Sequence, residues 1–159
     1  MKCQEQLEQY LCDNHVMYQI QHHPQAYTAQ SIAECEHISG NKVAKSVVVF
    51  ADNKPVLLVL PATYRVDLDK VRTYLGARDV RLAHEEEFRN SFPDCEVGAM
   101  PPFGNLYNLL ICAEQSLTKQ ETIVFPVGTH TETMSIKYAD FERLVQPTIA
   151  DFALRPTPV

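Results

Sequence analysis

The most strongly patterned stretch of the chain is Val43–Phe50, VAKSVVVF, in which seven residues suit a buried strand and the eighth is Lys45. Side chains alternate along a strand, so Val43, Lys45, Val47 and Val49 share one face and Ala44, Ser46, Val48 and Phe50 the other. An unpaired ammonium in such a run is costly to bury. Lys45 must therefore reach solvent, meet an anion or lie in a polar cleft; the plain alternative is a lysine that guards a sheet edge. Asp52-Asn53-Lys54 reads as a short turn into Pro55–Leu60, whose apolar residues on both faces predict a central strand beside its hairpin partner.

The helical spacing of Cys3, Leu7, Tyr10 and Leu11 predicts an amphipathic helix over 2–13. Val16, Tyr18 and Ile20 alternate with Met17, Gln19 and Gln21, which predicts a strand over 16–21 ended by His22, His23 and Pro24. Adjacent strand residues point to opposite faces, so the two histidines read as an ordinary strand end and not as a metal pair. Thr28 is placed to cap a helix from Ala29 to about Ile38, with Ala29, Ile32 and Ala33 facing in and Ser39-Gly40-Asn41 stopping it. Asp67 and Gly76 bracket a helix carrying Leu68, Val71 and Leu75. A short strand at Val80–Ala83, an acidic helix at Glu85–Phe88, and strands at Leu106–Cys112, Glu121–Val127 and Thr133–Lys137 follow. Gly128–Glu132 joins the last two strands as a hairpin with His130 at its tip. A helix over Tyr138–Val145 turns Phe141, Leu144 and Val145 inward and ends at Pro147, and the tail after Phe152 reads as loose.

Composition narrows the class. The chain has 159 residues, 45% hydrophobic and 21% charged, which fits one globular domain. No apolar run approaches bilayer length and the N-terminus has no signal-like hydrophobic region, so a cytoplasmic location without membrane contact is expected. Five cysteines, Cys3, Cys12, Cys35, Cys95 and Cys112, are odd in number and never spaced C-x-x-C, which argues against a disulfide framework and a zinc site. Most of them read as small buried hydrophobes. A net charge of −6 speaks against a protein that grips long nucleic acid, while contact with one nucleotide end stays open.

Candidate chemistry concentrates in PDCEVGAMPPFG, residues 93–104, where three prolines and two glycines describe a rigid, shaped loop. Residues Gly98, Ala99, Met100, Pro101 and Pro102 could present backbone amides and carbonyls to a small polar ligand, or simply connect two elements tightly. No Ser-His-Asp or Cys-His arrangement is legible and G-x-S-x-G is absent.

Taken in order, the lysine in its valine strand, the GAMPPFG loop and the GTH hairpin followed by YADFERL resemble the YbaK/prolyl-tRNA synthetase-associated editing family. The resemblance covers nearly the whole chain, and with no synthetase body it is to the free-standing, trans-editing members. It implies an α+β fold, a curved mixed and largely antiparallel sheet, partly barrel-like, with helices packed around it. It implies an aminoacyl-tRNA deacylase that works without cofactor or metal on a tRNA 3′ end carrying a small amino acid, with an aminoacyl-tRNA synthetase as a further partner. By the same resemblance Lys45 and His130 are the catalytic candidates, and Ser46, Gly98, Ala99, Met100, Pro101, Pro102 and Gly128 the substrate-binding ones. An aminoacyl ester is already activated, so positioning, a water and modest oxyanion stabilisation would suffice. The rival reading is a non-catalytic module of the same fold that binds a CCA end, a nucleotide or a protein.

Overall fold

A computed structural model describes residues 3–92, 94–96 and 98–155; Pro93 and Val97 of the proline-glycine loop, and Pro156 and Pro158 of the tail, lie outside them. The helices are α1 (Cys3–Asp13), α2 (Ala29–Glu36), α3 (Leu68–Leu75), α4 (Glu85–Phe88) and α5 (Tyr138–Val145). The strands are β1 (Gln19–His22), β2 (Ala44–Ala51), β3 (Lys54–Pro61), β4 (Arg65–Val66), β5 (Val80–Leu82), β6 (Leu110–Glu114), β7 (Thr122–Pro126), β8 (Glu132–Lys137), β9 (Thr148–Ala150) and β10 (Ala153–Leu154). Among the described residues they form a mixed sheet in the order β5-β2-β3-β6-β9, an antiparallel sheet β1-β8-β7 and the pair β10-β4. Together they make the expected α+β fold of mixed sheets with helices around them.

The double-sided apolarity of β3 puts it where expected, between β2 and β6, antiparallel to the first and parallel to the second. β2 is also interior: β3 runs along its whole length, β5 covers Val49–Ala51, and Val43 bridges Val124 of β7. That bridge joins the two sheets, which among the described residues do not close into a barrel. The alternation read from sequence sorts the core. Ala44 and Val48 pack with Phe103, Phe125 and Phe141 on one face, whereas Val49 packs with Leu58, Leu60 and Val71 under α3 on the other.

Local signals account for the helices. Thr28 Oγ1 accepts the Ser31 N–H at 3.0 Å and Asp67 Oδ1 accepts the Asp69 N–H at 3.0 Å, while Gly76 ends α3 at φ 65°. Four expectations are corrected. The first strand lies at Gln19–His22, because Val16 instead closes α1 by donating its N–H to Leu11 O. Residues 104–107 form a 3₁₀ turn and Asn108 is left-handed at φ 59°, so the strand expected from Leu106 begins at Leu110. The stretch after Phe152 is not loose over its first residues: Ala153 and Leu154 pair with β4, and Phe152 is buried.

The fourth correction is covalent. Cys3 and Cys95 form a disulfide with Cα atoms 5.4 Å apart, and Tyr107 Oη lies 3.5 Å from Cys3 Sγ. A separation of 92 residues left no trace in the cysteine spacing. Of the other three, Cys112 is buried as expected but Cys12 and Cys35 are exposed. Closing so long a loop restricts the unfolded chain, a contribution typically of about 2–4 kcal/mol. Non-reduced protein is therefore expected to titrate three thiols when unfolded in denaturant, and in its folded form to melt several degrees above the Cys3→Ser variant, with the gap vanishing under dithiothreitol. Equal melting temperatures without reductant would show that the link contributes nothing.

Candidate active site

Lys45 sits at the start of β2 opposite Leu60, on the face away from Ser46. Its half-buried ammonium donates to Ala62 O at 3.3 Å, and no carboxylate pairs with it among the described residues. Burial first, and the nearby Arg65 charge second, push its pKa down from the ordinary value. β3 pairs Lys45 on one side, and on the other the Val43–Val124 bridge and the β5 pairing from Val49 leave only a few residues of β2 open, so there is little edge for a lysine to guard.

Across β2 lies the loop that begins at Gly98. Its φ of 86° is a left-handed conformation that glycine adopts freely, and a Cβ built there would stand 3.6 Å from His130 Cε1. Ala99, Met100, Pro101 and Pro102 are buried, so they offer the site a packed floor and backbone groups rather than projecting side chains. The loop is stitched to the β7–β8 hairpin by backbone bonds: Gly128 N–H donates to Ala99 O at 2.7 Å and Glu96 N–H to Gly128 O at 2.8 Å. Gly128 itself has φ 101°, and a Cβ there would lie 3.0 Å from Cys3 Sγ. Glu96 also orients the hairpin tip, its carboxylate accepting the His130 N–H at 3.0 Å and standing 3.7 Å from Nε2. The imidazole packs on the Tyr27 ring with centroids 4.9 Å apart.

Between loop and sheet runs a cleft of about 200 Å³, lined by Ser46, Val48, Leu82, Phe88, Gly98 and Met100 among others. Ser46 Oγ is buried without a hydrogen-bond partner. One wall is held in place by Arg81, whose guanidinium makes two bonds to Glu87, at 2.7 and 2.6 Å, and lies over the Phe50 ring. That pairing drops the Glu87 pKa to about 2. The structure thus gathers Ser46, Gly98, Met100 and His130 on one side of β2, with Ala99 and Gly128 behind them, and leaves the Lys45 ammonium on the other. A larger cavity, about 490 Å³, opens at the far end of the β2–β3 hairpin by Asp52 and Lys54, and holds none of the candidate residues.

Beneath the hairpin lies a polar cluster that sequence reading missed. His22 is exposed, as alternation requires, but the His23 side chain is 1% exposed and its Nε2 lies 3.8 Å from Glu36 Oε2. Fully buried Thr133 donates to that same oxygen at 2.7 Å, and His23 N–H donates to Thr131 O. The only available signal was a histidine and a glutamate at positions where a strand and a helix turn inward. Among the described residues no three His, Cys, Asp or Glu side chains converge as metal ligands.

Fold and cleft define a class: an α+β domain that presents a proline-glycine loop and a hairpin histidine beside a small, largely apolar cleft on one side of β2, with a half-buried lysine on the other. Residues 23–144 match the aminoacyl-tRNA editing domain family, and the chain belongs to it. It is 27% identical over 136 residues to the multifunctional Ser/Thr-tRNA deacylase ProXp-y of Escherichia coli, covering 79% of this chain and 81% of that protein. It is 27% identical over 125 residues to the proline–tRNA ligase of Limosilactobacillus fermentum, but spans only 21% of that enzyme. Among solved structures, the hypothetical protein APE2540 superposes with a TM-score of 0.84 at 16% identity, over 93% of this chain and 99% of that one. A proposed trans-editing enzyme for prolyl tRNA synthetase gives 0.82 at 20% identity, over 97% and 98%. Among the described residues no helix is long and apolar enough to cross a membrane.

Proposed function

We propose that this chain works as a single domain that removes a small amino acid from misacylated tRNA in trans. The protein is an aminoacyl-tRNA deacylase; the observation that carries the reading is the family match over residues 23–144 together with the deacylase relative of similar length. Water adds to the ester carbonyl, and the ribose hydroxyl departs with a proton, leaving free amino acid and tRNA. The site's task is to position the ester and stabilise the oxyanion, since the bond is already activated.

In this reading the 3′ end straddles β2. The aminoacyl group enters the cleft of about 200 Å³, where the backbone of residues 98–102 holds its amine and Ser46 Oγ offers the polar contact it lacks from the protein. The terminal phosphate or ester oxygen reaches the ammonium of Lys45, whose protein partner is a neutral carbonyl and which therefore keeps its charge for an anion. His130 closes the cleft beside Gly98, with Gly128 turning the hairpin toward the loop. A synthetase that releases the misacylated tRNA is the natural second partner.

Assaying deacylation of alanyl-, cysteinyl-, seryl- and threonyl-tRNA tests the reading; hydrolysis of none would refute it. Within the same panel, Gly98→Ala is expected to lower the rate markedly, because alanine at φ 86° costs roughly 1–3 kcal/mol of local strain in the loop. Gly98 is exposed and its new Cβ meets His130 at an ordinary contact distance, so the variant should still fold, with the strain lowering its melting temperature by a few degrees. Full activity with unchanged preference would remove the loop from the site.

A further inference from the structure

A second polar cleft, of about 140 Å³, lies where the turn after β3 meets the 3₁₀ segment Gln115–Lys119, and the reaction above does not use it. Asn41, Tyr64, Ser116, Lys119, Gln120 and Arg155 line it with Pro61. Three features set it apart. Lys119 and Arg155 are two exposed cations on one cleft, and, like Lys54, Arg65 and Arg78, they form no ion pair among the described residues. The chain carries −6 overall, so two cations lining one cleft stand out against its net charge. Ser116 Oγ is buried there without a hydrogen-bond partner. Acids lie close by: Glu121 follows Gln120 directly and is exposed, while Glu114 is buried, accepts the Ser116 N–H at 3.3 Å and feels the Arg155 charge, but no carboxylate is among the residues lining the cleft.

The position matters as much as the charge. Pro61 and Tyr64 flank Ala62, the residue whose carbonyl receives the Lys45 ammonium, and Arg65 follows directly. Arg65 lies close enough to repel the Lys45 charge, Leu154 pairs with Arg65 and precedes Arg155, and Arg155 lines the cleft with Lys119, so the four cations are linked neighbour to neighbour. Consecutive backbone phosphates of a strand leaving the Lys45 site would meet these cations in succession. An aromatic face on Tyr64 and an unsatisfied hydroxyl on Ser116 suit a sugar-phosphate unit better than an acidic peptide.

We infer that this cleft is a phosphodiester subsite for the acceptor strand of the tRNA, upstream of the residue bearing the ester, with Lys119 and Arg155 as its charged contacts. The inference rests on the deacylase reading for its choice of ligand. It is tested by binding, so the two can fail separately.

The probe is a fluorescein-labelled acceptor-stem RNA hairpin ending in CCA, titrated with wild type, Lys119→Ala/Arg155→Ala and the control Lys54→Ala/Arg78→Ala, which lies at the far end of the β2–β3 hairpin. The double variant is expected to bind about tenfold more weakly near physiological salt and to lose about 1.5 units of slope in log Kd against log salt, as two lost phosphate contacts require. The control and the charge-keeping Lys119→Arg/Arg155→Lys should match wild type. In turnover the double variant should raise KM on aminoacyl-tRNA with kcat kept, and leave hydrolysis of an aminoacyl-adenosine ester, which lacks those phosphates, unchanged. An unaltered affinity and salt slope would overturn the site. So would a variant that loses binding of inorganic phosphate or AMP while keeping the RNA hairpin, since the cleft would then serve a free phosphate. Weakened hairpin binding in a protein that deacylates nothing would uphold the subsite and refute the hydrolytic reading.

Discussion

Lys45→Met is expected to cut deacylation at least about tenfold while leaving the melting temperature unchanged or slightly higher. A charge-assisted contact to a phosphate or ester oxygen is worth on the order of 1.5–3 kcal/mol, and methionine keeps most of the volume and none of the charge. In the free protein the ammonium has lost much of its water and gained only the Ala62 carbonyl, with Arg65 nearby repelling it. Removing it should therefore not destabilise the fold. The pH dependence carries opposite signs for the two readouts. Burial lowers the Lys45 pKa below 10.5, so the charge proposed to hold the substrate is lost as pH rises through that lowered value, earlier than for a free lysine. Between the lowered value and 10.5 the unfolded chain binds more protons than the folded one, so this group's contribution to stability rises with pH. Paired rate and melting profiles of wild type and variant test both signs. A variant that keeps its rate but precipitates would restore the edge-guarding role.

Glu36→Ala is expected to be the most destabilising of the substitutions considered. It strips Thr133 of its acceptor and leaves His23 Nε2 facing a void where a carboxylate stood at 3.8 Å, with His23, Thr133 and the Glu36 side chain all withdrawn from water. Stranding the buried Thr133 hydroxyl costs about 1–3 kcal/mol and the emptied side-chain volume adds to it, which for a domain of this size lowers the melting temperature by roughly 5–10 °C. Glu36→Gln keeps an acceptor for the Thr133 hydroxyl and should recover part of the loss. The cluster also bears on the site, because His23 N–H and Ala26 N–H hold the carbonyls of Thr131 and His130 at the hairpin tip. Activity of Glu36→Ala should fall further than its folded fraction accounts for. A melting temperature within a degree of wild type would mean that water, not Thr133 and His23, satisfies this carboxylate.

Much of this was legible in the chain itself. The alternation of Val43–Phe50 assigned each residue of β2 to its face, the double-sided apolarity of Pro55–Leu60 made β3 central, and Asp67 and Gly76 marked the two ends of α3. These are local properties: period, propensity and capping act within a few residues and are written into neighbouring letters. The lysine, the proline-glycine loop and the hairpin histidine stood out for the same reason, and their order along the chain carried the family.

What only the folded chain decided was distance between remote residues. Sequence could group Lys45 with residues 98–102 and His130, but not place the ammonium on one face of β2 and the cleft on the other. Nor could it bring Cys3 to Cys95 across 92 positions, or His23, Glu36 and Thr133 to one buried point. The strand expected from Leu106 failed because Gly104 begins a turn packed tightly against Leu57 and Ile111, a contact no local pattern records. Lys119 and Arg155 carry no signal in their own surroundings; they come to line one cleft only when the 3₁₀ segment after β6 and residue 155 are packed together, since electrostatic fields depend on separation in space and not along the chain.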